Sequence, residues 1–515
     1  MSQLDKGNSV RIVAHTNIPY NVFSTEVEGA VKQDFFREVA EILDYYEVYT
    51  LGADFSPEGT NSDYVASDTK YKKIRTLIDK EARFLFSIPP TFTVNKTASK
   101  TSKQEKDNNT VLNEFLNTVL DKTAFSLNLL KATKDCFIGK RVACMLNFND
   151  SGIDVTFLNS TEFLYEMSGN TLIRLVAIYQ LIPTADKASQ TIKKKVYEMG
   201  DDGFCYVEET LYSGTGEEKE EGKIERTRTK FQRIPGVVIF NDGLTNDSRG
   251  ESEVALLNDY ESRYSGLANA DVDAERKSMN PIRYAIDAST ESTANLSSSP
   301  GSFWDIQSDQ NGADPKNAKV GLLEAQMNYK DALKVTLDRI SNAMHSQIDV
   351  PNLDNEQLQG LITSGKTLKA LYWGLIVRCN EKMLTWGPAL RDIADIIIEG
   401  GILYPESTKP YSNESIPSIE AKVSVENNYP LPEDEAEEKA TDLTEVAAQT
   451  MSRKSYMKKW RNLTDEEVDE ELAQIALERQ ILEDSYVGES DSTVTETIEE
   501  GEDDAGNQAQ NSRED

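Results

Sequence analysis

Apolar residues recur every three or four positions along several stretches of the chain, each bounded by proline, glycine or a polar run. Residues 31–50, VKQDFFREVAEILDYYEVYT, put Phe35, Val39, Ile42 and Tyr46 at helical spacing and predict an amphipathic helix. Residues 70–86 repeat the pattern with Ile74, Leu77 and Ile78 and stop at Ile88-Pro89-Pro90. TASKTSKQEKDNN (97–109) reads as an exposed polar loop. Residues 111–138 read as one further helix carrying Leu112, Phe115, Leu116, Val119, Leu120 and Phe125. Residues 1–30 show no sustained period and read as an extended arm.

Between 141 and 240 the runs shorten and turn β-like: VACMLNF, IDVTFL, LIRLVAIYQL, KKVYEM, FCYVEETLY and VVIF. GTGEEKEEGK (214–223) reads as a turn. Helices followed by an antiparallel β region indicate an α+β fold. Helical spacing then returns. Residues 251–277 carry Leu256, Tyr260, Tyr264 and Leu267, and 321–347 carry Leu333, Leu337, Ile340 and Met344. Between them, 278–320 hold Pro281, Pro300, Pro315 and a Ser/Thr/Asn-rich core. A third long helix, about 366–399, aligns Leu368, Leu371, Leu375 and Cys379, with Gly387-Pro388 expected to kink it or end its first half. AKVSVENNY reads as a short strand after Gly400-Gly401, and about 433–484 reads as helical. A helix pair around a compact insert suits a stalk with a projecting head better than an enzyme.

Composition adds 38% hydrophobic and 28% charged residues, as in an ordinary globular protein large enough for two or three domains. No apolar run approaches the roughly 18–20 residues of a membrane span. The start, MSQLDKGNSVRIVAHT, has no apolar core behind a basic stretch, so synthesis in the cytoplasm is expected. The net charge of −33 is unevenly placed: residues 433–515 hold 26 acids and 8 bases, a net of −18, leaving −15 for the rest. That excludes a uniformly basic DNA-gripping surface but permits one along which DNA slides. Beyond 485 the chain has ten acids, one base and almost no apolar residues, and is expected to be disordered.

Candidate chemistry is sparse. Cys136, Cys144, Cys205 and Cys379 are too dispersed for a metal hook or disulfide framework, and His15 and His345 sit in no zinc or triad pattern. Two basic clusters, Lys193-Lys194-Lys195 and Lys223 to Arg233, fit either a solvated strand face or a phosphate contact. Gly360-Leu361-Ile362-Thr363-Ser364-Gly365-Lys366-Thr367 matches the phosphate-cradling GxxxxGK[ST] pattern. Its mechanism needs a buried strand just before the loop, and DVPNLDNEQLQ is polar with Pro351 inside. Ser364-Gly365 before an amphipathic run is better read as a helix start.

Three stretches carry a resemblance: IPGVVIFNDGLTNDSRGESEVALLNDYESRYSGLANADVDA (234–274), SGKTLKALYWGLIVRCNEKM (364–383) and SRKSYMKKWRNLTDEEVDEELAQIALE (452–478). In order and spacing they resemble the portal proteins of siphophages infecting Gram-positive bacteria. The first looks like that family's Pro-Val-x-x-Phe-x-Asn segment and Gly-Glu-Ser turn leading into a stem helix. The second is similar to its Ser-Gly-x-Ala-Leu-Lys segment, with Thr367 where Ala is common, and the third to its Glu-rich C-terminal helix.

The resemblance implies an α+β subunit with an N-terminal arm (1–30), a wing (31–248 and 365–430), stem helices (249–276 and 321–347), a clip (277–320), a tunnel loop (348–364), a crown (431–484) and an acidic tail (485–515). It implies a homo-oligomeric ring, a dodecamer, at one capsid vertex, through which double-stranded DNA is packaged and ejected. Terminase, head-completion or connector proteins, and major capsid and scaffolding protein are the implied partners, with no membrane, catalytic residue, metal or cofactor. Asn352, Asn355, Gln357 and Gln359 in the tunnel-loop segment are neutral groups able to touch DNA without trapping it, or simply a polar loop. A P-loop ATPase and another phage head structural protein are the competing readings.

Overall fold

The computed structural model describes residues 22–23, 26–27, 29–57, 64–94, 103–182, 191–243, 249–279, 282–293, 305–308, 317–323, 327–352, 365–412, 414–419, 422–431, 435–461 and 463–488. The chain forms two compact units, one of residues 1–363 and 367–431, the other of 432–515 with 364–366.

The first unit contains two antiparallel sheets. In the smaller, β2 (Arg141–Asn149) lies between β3 (Gly152–Asn159) and β9 (Gly236–Phe240), with Val142 opposite both Asn159 and Ile239. β2 is buried from Arg141 to Leu146, which is why its run reads as continuous rather than alternating. The larger sheet is a meander of β4 (Phe163–Ser168), β5 (Thr171–Ile182), β6 (Thr191–Met199), β7 (Cys205–Ser213) and β8 (Glu218–Arg228). One of its outer strands, β8, differs from expectation. β8, EKEEGKIERTR, occupies the segment expected to begin as a turn; it is an edge strand, so charged side chains can face water while its backbone pairs with β7. A two-stranded ribbon joins β1 (Thr91–Val94) to β12 (Val423–Glu426).

Helices cover these sheets. α1 (Gly29–Leu51) serves two cores: Phe35, Val39 and Leu43 pack with Val22, Phe23, Val176, Ile178 and Ile192, while Ile42 and Tyr46 enter the main core. α2 (Lys73–Phe86) buries Ile74, Leu77, Ile78 and Leu85. The expected single helix over 111–138 is two, α3 (Lys103–Lys122) and α4 (Phe125–Gly139), parted where Ala124 takes a positive φ of 49°. α3 also replaces half of the loop expected at 97–109, because Lys, Gln and Glu form helix readily without any apolar face.

α5 (Glu253–Met279) is followed by β10 (Ile282–Ile286) and the short α6 (Thr290–Thr293). The helix expected from 321 begins later. β11 (Lys319–Leu323) pairs with β10, and α7 runs Lys330–Gln347. α7 returns antiparallel to α5, with Tyr329 hydroxyl donating to Asp271 at 3.1 Å and Lys330 meeting Glu275 at 2.6 Å.

The third long helix is divided at Tyr372 into α8 (Gly365–Leu371) and α9 (Trp373–Leu403), rather than at Pro388. Pro388 removes one backbone bond, but Trp386, Ala389, Leu390 and Ile393 are all buried around it, and that packing carries the helix through. The helix continues past the expected end through Gly400 and Gly401, where Phe148 and Phe115 occupy the space that Cβ atoms would fill. α10 (Pro405–Thr408) follows.

In the second unit the single helical region is three helices: α11 (Glu435–Ala447), α12 (Arg453–Arg461) and α13 (Asp465–Gly488). Thr464 and Glu467 cap α13 reciprocally, Thr464 donating through N–H at 2.8 Å and receiving the Glu467 N–H at 3.4 Å. Basic side chains of α12 pair with acids of its neighbours: Lys454 with Asp469 at 2.7 Å, Arg461 with Glu471 at 2.9 Å and Lys459 with Asp442 at 2.9 Å. Residues 485–488, expected to be disordered, complete α13; 489–515 lie outside the described residues.

Candidate functional site

α5 and α7 are the helices expected to form the stem, and the segment expected to carry the tunnel loop follows α7. The apolar stripe expected on α5 lies at the edge of its packed face: Leu256 is 42% exposed, and Tyr260, Tyr264 and Leu267 are half-buried. The buried face of α5 combines Val254, Leu257 and Ala268 with a polar row. Glu261, Ser265, Asn269 and Asp273 recur every four residues and so line one side of the helix.

Three of these hold an extended segment against α5. Glu261 accepts the Ile74 N–H at 2.7 Å and the Ala53 N–H at 3.4 Å. Asn269 accepts from the Ser67 hydroxyl at 2.7 Å and the Thr69 N–H at 2.9 Å, and donates to the Thr69 carbonyl at 2.7 Å. Asp273 accepts from the Ser67 N–H at 3.0 Å and the Tyr64 hydroxyl at 2.7 Å. Glu261 thereby caps α2, whose N-cap Lys72 has a positive φ and no side-chain cap of its own. An apolar-period search misses this stripe; the four-residue recurrence of Glu, Ser, Asn and Asp is the signal that marks it.

The start of α5 rests on a second polar group. Glu253 of α5 meets Lys382 and Arg378 of α9, each at 2.6 Å, and Arg378 also reaches Glu81 of α2 at 2.8 Å. Asn241 accepts from Lys382 at 2.8 Å. Burial disfavours both carboxylates, but the Lys382 and Arg378 charges hold Glu253 below the usual range, whereas burial and the Glu253 charge push Glu81 up to about 7.

After α7 the chain folds back. Val350 N–H donates to the His345 carbonyl at 3.1 Å, and His345 Nδ1 lies 2.8 Å from the Val350 carbonyl. Ile348 and Val350 are buried, and burial lowers the His345 pKa. Asn352, exposed, donates to Asn342 of α7 at 2.7 Å, so α7 pins the first of the four tunnel-loop candidates. Asn355, Gln357 and Gln359 lie outside the described residues, as do 360–364 of the GxxxxGKT match. Gly365 of that motif opens α8, as a helix start should.

Most cations of the two basic clusters have a carboxylate beside them. Lys193 and Lys195 pair with Glu209 at 3.1 and 2.6 Å, and Lys194 with Glu26 at 2.6 Å. Arg226, Arg228 and Arg233 pair with Glu198, Asp202 and Glu399. Carboxylates of the same chain thus stand beside most of these cations. The four cysteines are buried thiols. Among the described residues no group of three or more His, Cys, Asp or Glu could hold a metal, and no helix is long and apolar enough to cross a membrane.

Large apolar side chains remain uncovered on this part of the molecule. α9 exposes Trp373 (66%), Val377 and Leu384 (76%) along one side while burying Leu375, Cys379, Lys382 and Trp386 on the other, and α7 exposes Val335. Tyr284, Ile286 and Val320 are exposed on the β10–β11 ribbon.

A family model described as phage portal protein, SPP1 Gp6-like, matches residues 30–482. No curated protein matches the chain.

Proposed function

The chain belongs to the SPP1 Gp6-like phage portal protein family, and on that premise we propose that it forms the DNA channel at a unique capsid vertex. Membership carries the coarse statements: an α+β subunit of a capsid-associated ring. The finer reading is a dodecamer through which double-stranded DNA is packaged and ejected, docking terminase on its outer side and head-completion or connector proteins after filling. Capsid and scaffolding proteins surround it during assembly in the host cytoplasm. The chain acts as a structural channel, with ATP hydrolysis supplied by the terminase.

The observation that carries this reading is a family match spanning residues 30–482. In the proposed anatomy α5 and α7 are the stem, and the β10–β11 ribbon belongs to the clip. The segment after Gln347 is the tunnel loop, and α11–α13 are the crown. A ring supports this assignment physically: apolar side chains such as Trp373, Leu384 and Val335 have little of their own chain to cover them, and neighbouring copies would do so. In vitro packaging tests it. Capsids assembled with this chain should fill with DNA when terminase and ATP are added, and capsids assembled without it should stay empty. Equal filling of both would overturn the proposal.

A further inference from the structure

The charges shared by α2, α5 and α9 are unevenly satisfied. Glu253 accepts from Lys382 and Arg378 at 2.6 Å each, and Asn241 Nδ2 stands at 3.4 Å. Glu81, with no exposed surface, accepts from Arg378 at 2.8 Å through Oε1, and Lys382 lies 3.7 Å from that same oxygen. Its other oxygen, Oε2, is buried and has no hydrogen-bond partner. Both carboxylates depend on the same two cations, and Glu253 takes the shorter contacts. Glu81 is therefore the weak member of the set. A buried carboxylate oxygen left without a donor is costly when charged and much less so when neutral.

We propose that Glu81 is the proton-responsive element of a buried joint between α9 and the start of α5. Neutral, it fits the closed joint. Ionised, it needs a second donor, which local opening to water supplies. The groups facing this joint are Glu253 from α5, Arg378, Cys379 and Lys382 from α9, and Cys136 from α4, where Lys382 also sits 4.5 Å over the Phe137 ring. Asn241 and Asp242 face it from the turn after β9. Arg378 and Lys382 are both held charged by Glu253, and burial pushes both thiols up, so Glu81 is the group positioned to titrate near neutrality.

The sign follows from a closed-state value raised to about 7 from 4.5. The stabilising contribution is complete below 4.5 and is lost as pH rises through 7. Between pH 6 and pH 8 the opening equilibrium should therefore grow about tenfold. Should α5 be the stem helix, as proposed above, its seating would loosen with rising pH, but the joint itself does not depend on that assignment.

Amide hydrogen exchange of the full-length protein, corrected for the intrinsic pH effect on exchange, reads this directly in peptides covering 253–261 and 375–386. Wild type should show about tenfold more opening at pH 8 than at pH 6, and Glu81→Gln should show none of that rise. Glu81→Met is the second uncharged variant, should the amide not fold. If neither variant folds, the wild-type rise alone decides. An absent rise in wild type, or the same rise in an uncharged variant, would overturn the proposal.

Discussion

Removing the Glu261 carboxylate is expected to weaken the first unit by about 2–4 kcal/mol, since it caps one helix from another. Its side chain is fully buried and accepts the Ile74 N–H at 2.7 Å and the Ala53 N–H at 3.4 Å. Hydrogen bonds to a charged group contribute about 1.5–3 kcal/mol each, and a carboxylate at a helix N-terminus adds up to about 1 kcal/mol. Against this, burial holds the Glu261 pKa above its ordinary value, so part of the gain is already spent on desolvation, which sets the lower total. Glu261→Ala leaves the Ile74 N–H buried without an acceptor, whereas Glu261→Gln keeps one acceptor and should lose about half as much. Urea unfolding followed by tryptophan fluorescence is a suitable assay, because buried Trp386 packs 5.3 Å from Phe86 at the far end of α2. Amide exchange across 72–76 should rise in step. A loss under about 0.5 kcal/mol with unchanged protection at those residues would refute the capping argument.

Three further outcomes are expected. Lys194 and Arg174 hold the Glu26 carboxylate below its usual range despite burial, so the stability it lends is present above 4.5 and lost as pH falls through the lowered value. Glu26→Gln should abolish that acid-side loss in a melting series, and an unchanged acid limb would contradict it. Lys366→Ala should leave ring size and packaging unchanged, and magnesium-dependent ATP binding abolished by that substitution would revive the P-loop reading. Asn355→Lys with Gln357→Lys should retard DNA passage in intact rings by adding an attractive charge from every subunit, and normal packaging would mean that this loop does not face DNA.

Secondary structure was legible wherever one strong period decided it. The helices at 29–51 and 73–86 and the buried strand 141–149 follow directly from their apolar spacing. It was illegible where tertiary packing outvoted a local signal. Pro388 failed to stop α9 because buried side chains on both sides hold the helix, and β8 hid among charges because an edge strand needs only backbone partners. The start of α7 was misplaced because Lys319–Leu323 pairs with a strand more than thirty residues earlier. In the α5–α7 region, the stripe expected on α7 was visible and buries Ile340 and Met344, whereas the one expected on α5 is mostly half-buried. Polar Glu261, Asn269 and Asp273 share the buried face of that helix with Val254, Leu257 and Ala268. Glu81, Glu253, Arg378 and Lys382 come from three distant segments, and no spacing rule joins them. The family resemblance was readable because it rests on short motifs in a fixed order rather than on packing.

The claim on which the rest depends is a closed ring of identical subunits around a channel. Negative-stain electron microscopy of the purified chain at micromolar concentration and physiological salt tests it most directly, with sedimentation of the same sample to give the mass. The account predicts rings with a central hole and a species many times 57.6 kDa. A monodisperse monomer at every salt concentration, with no ring in any field, would contradict it.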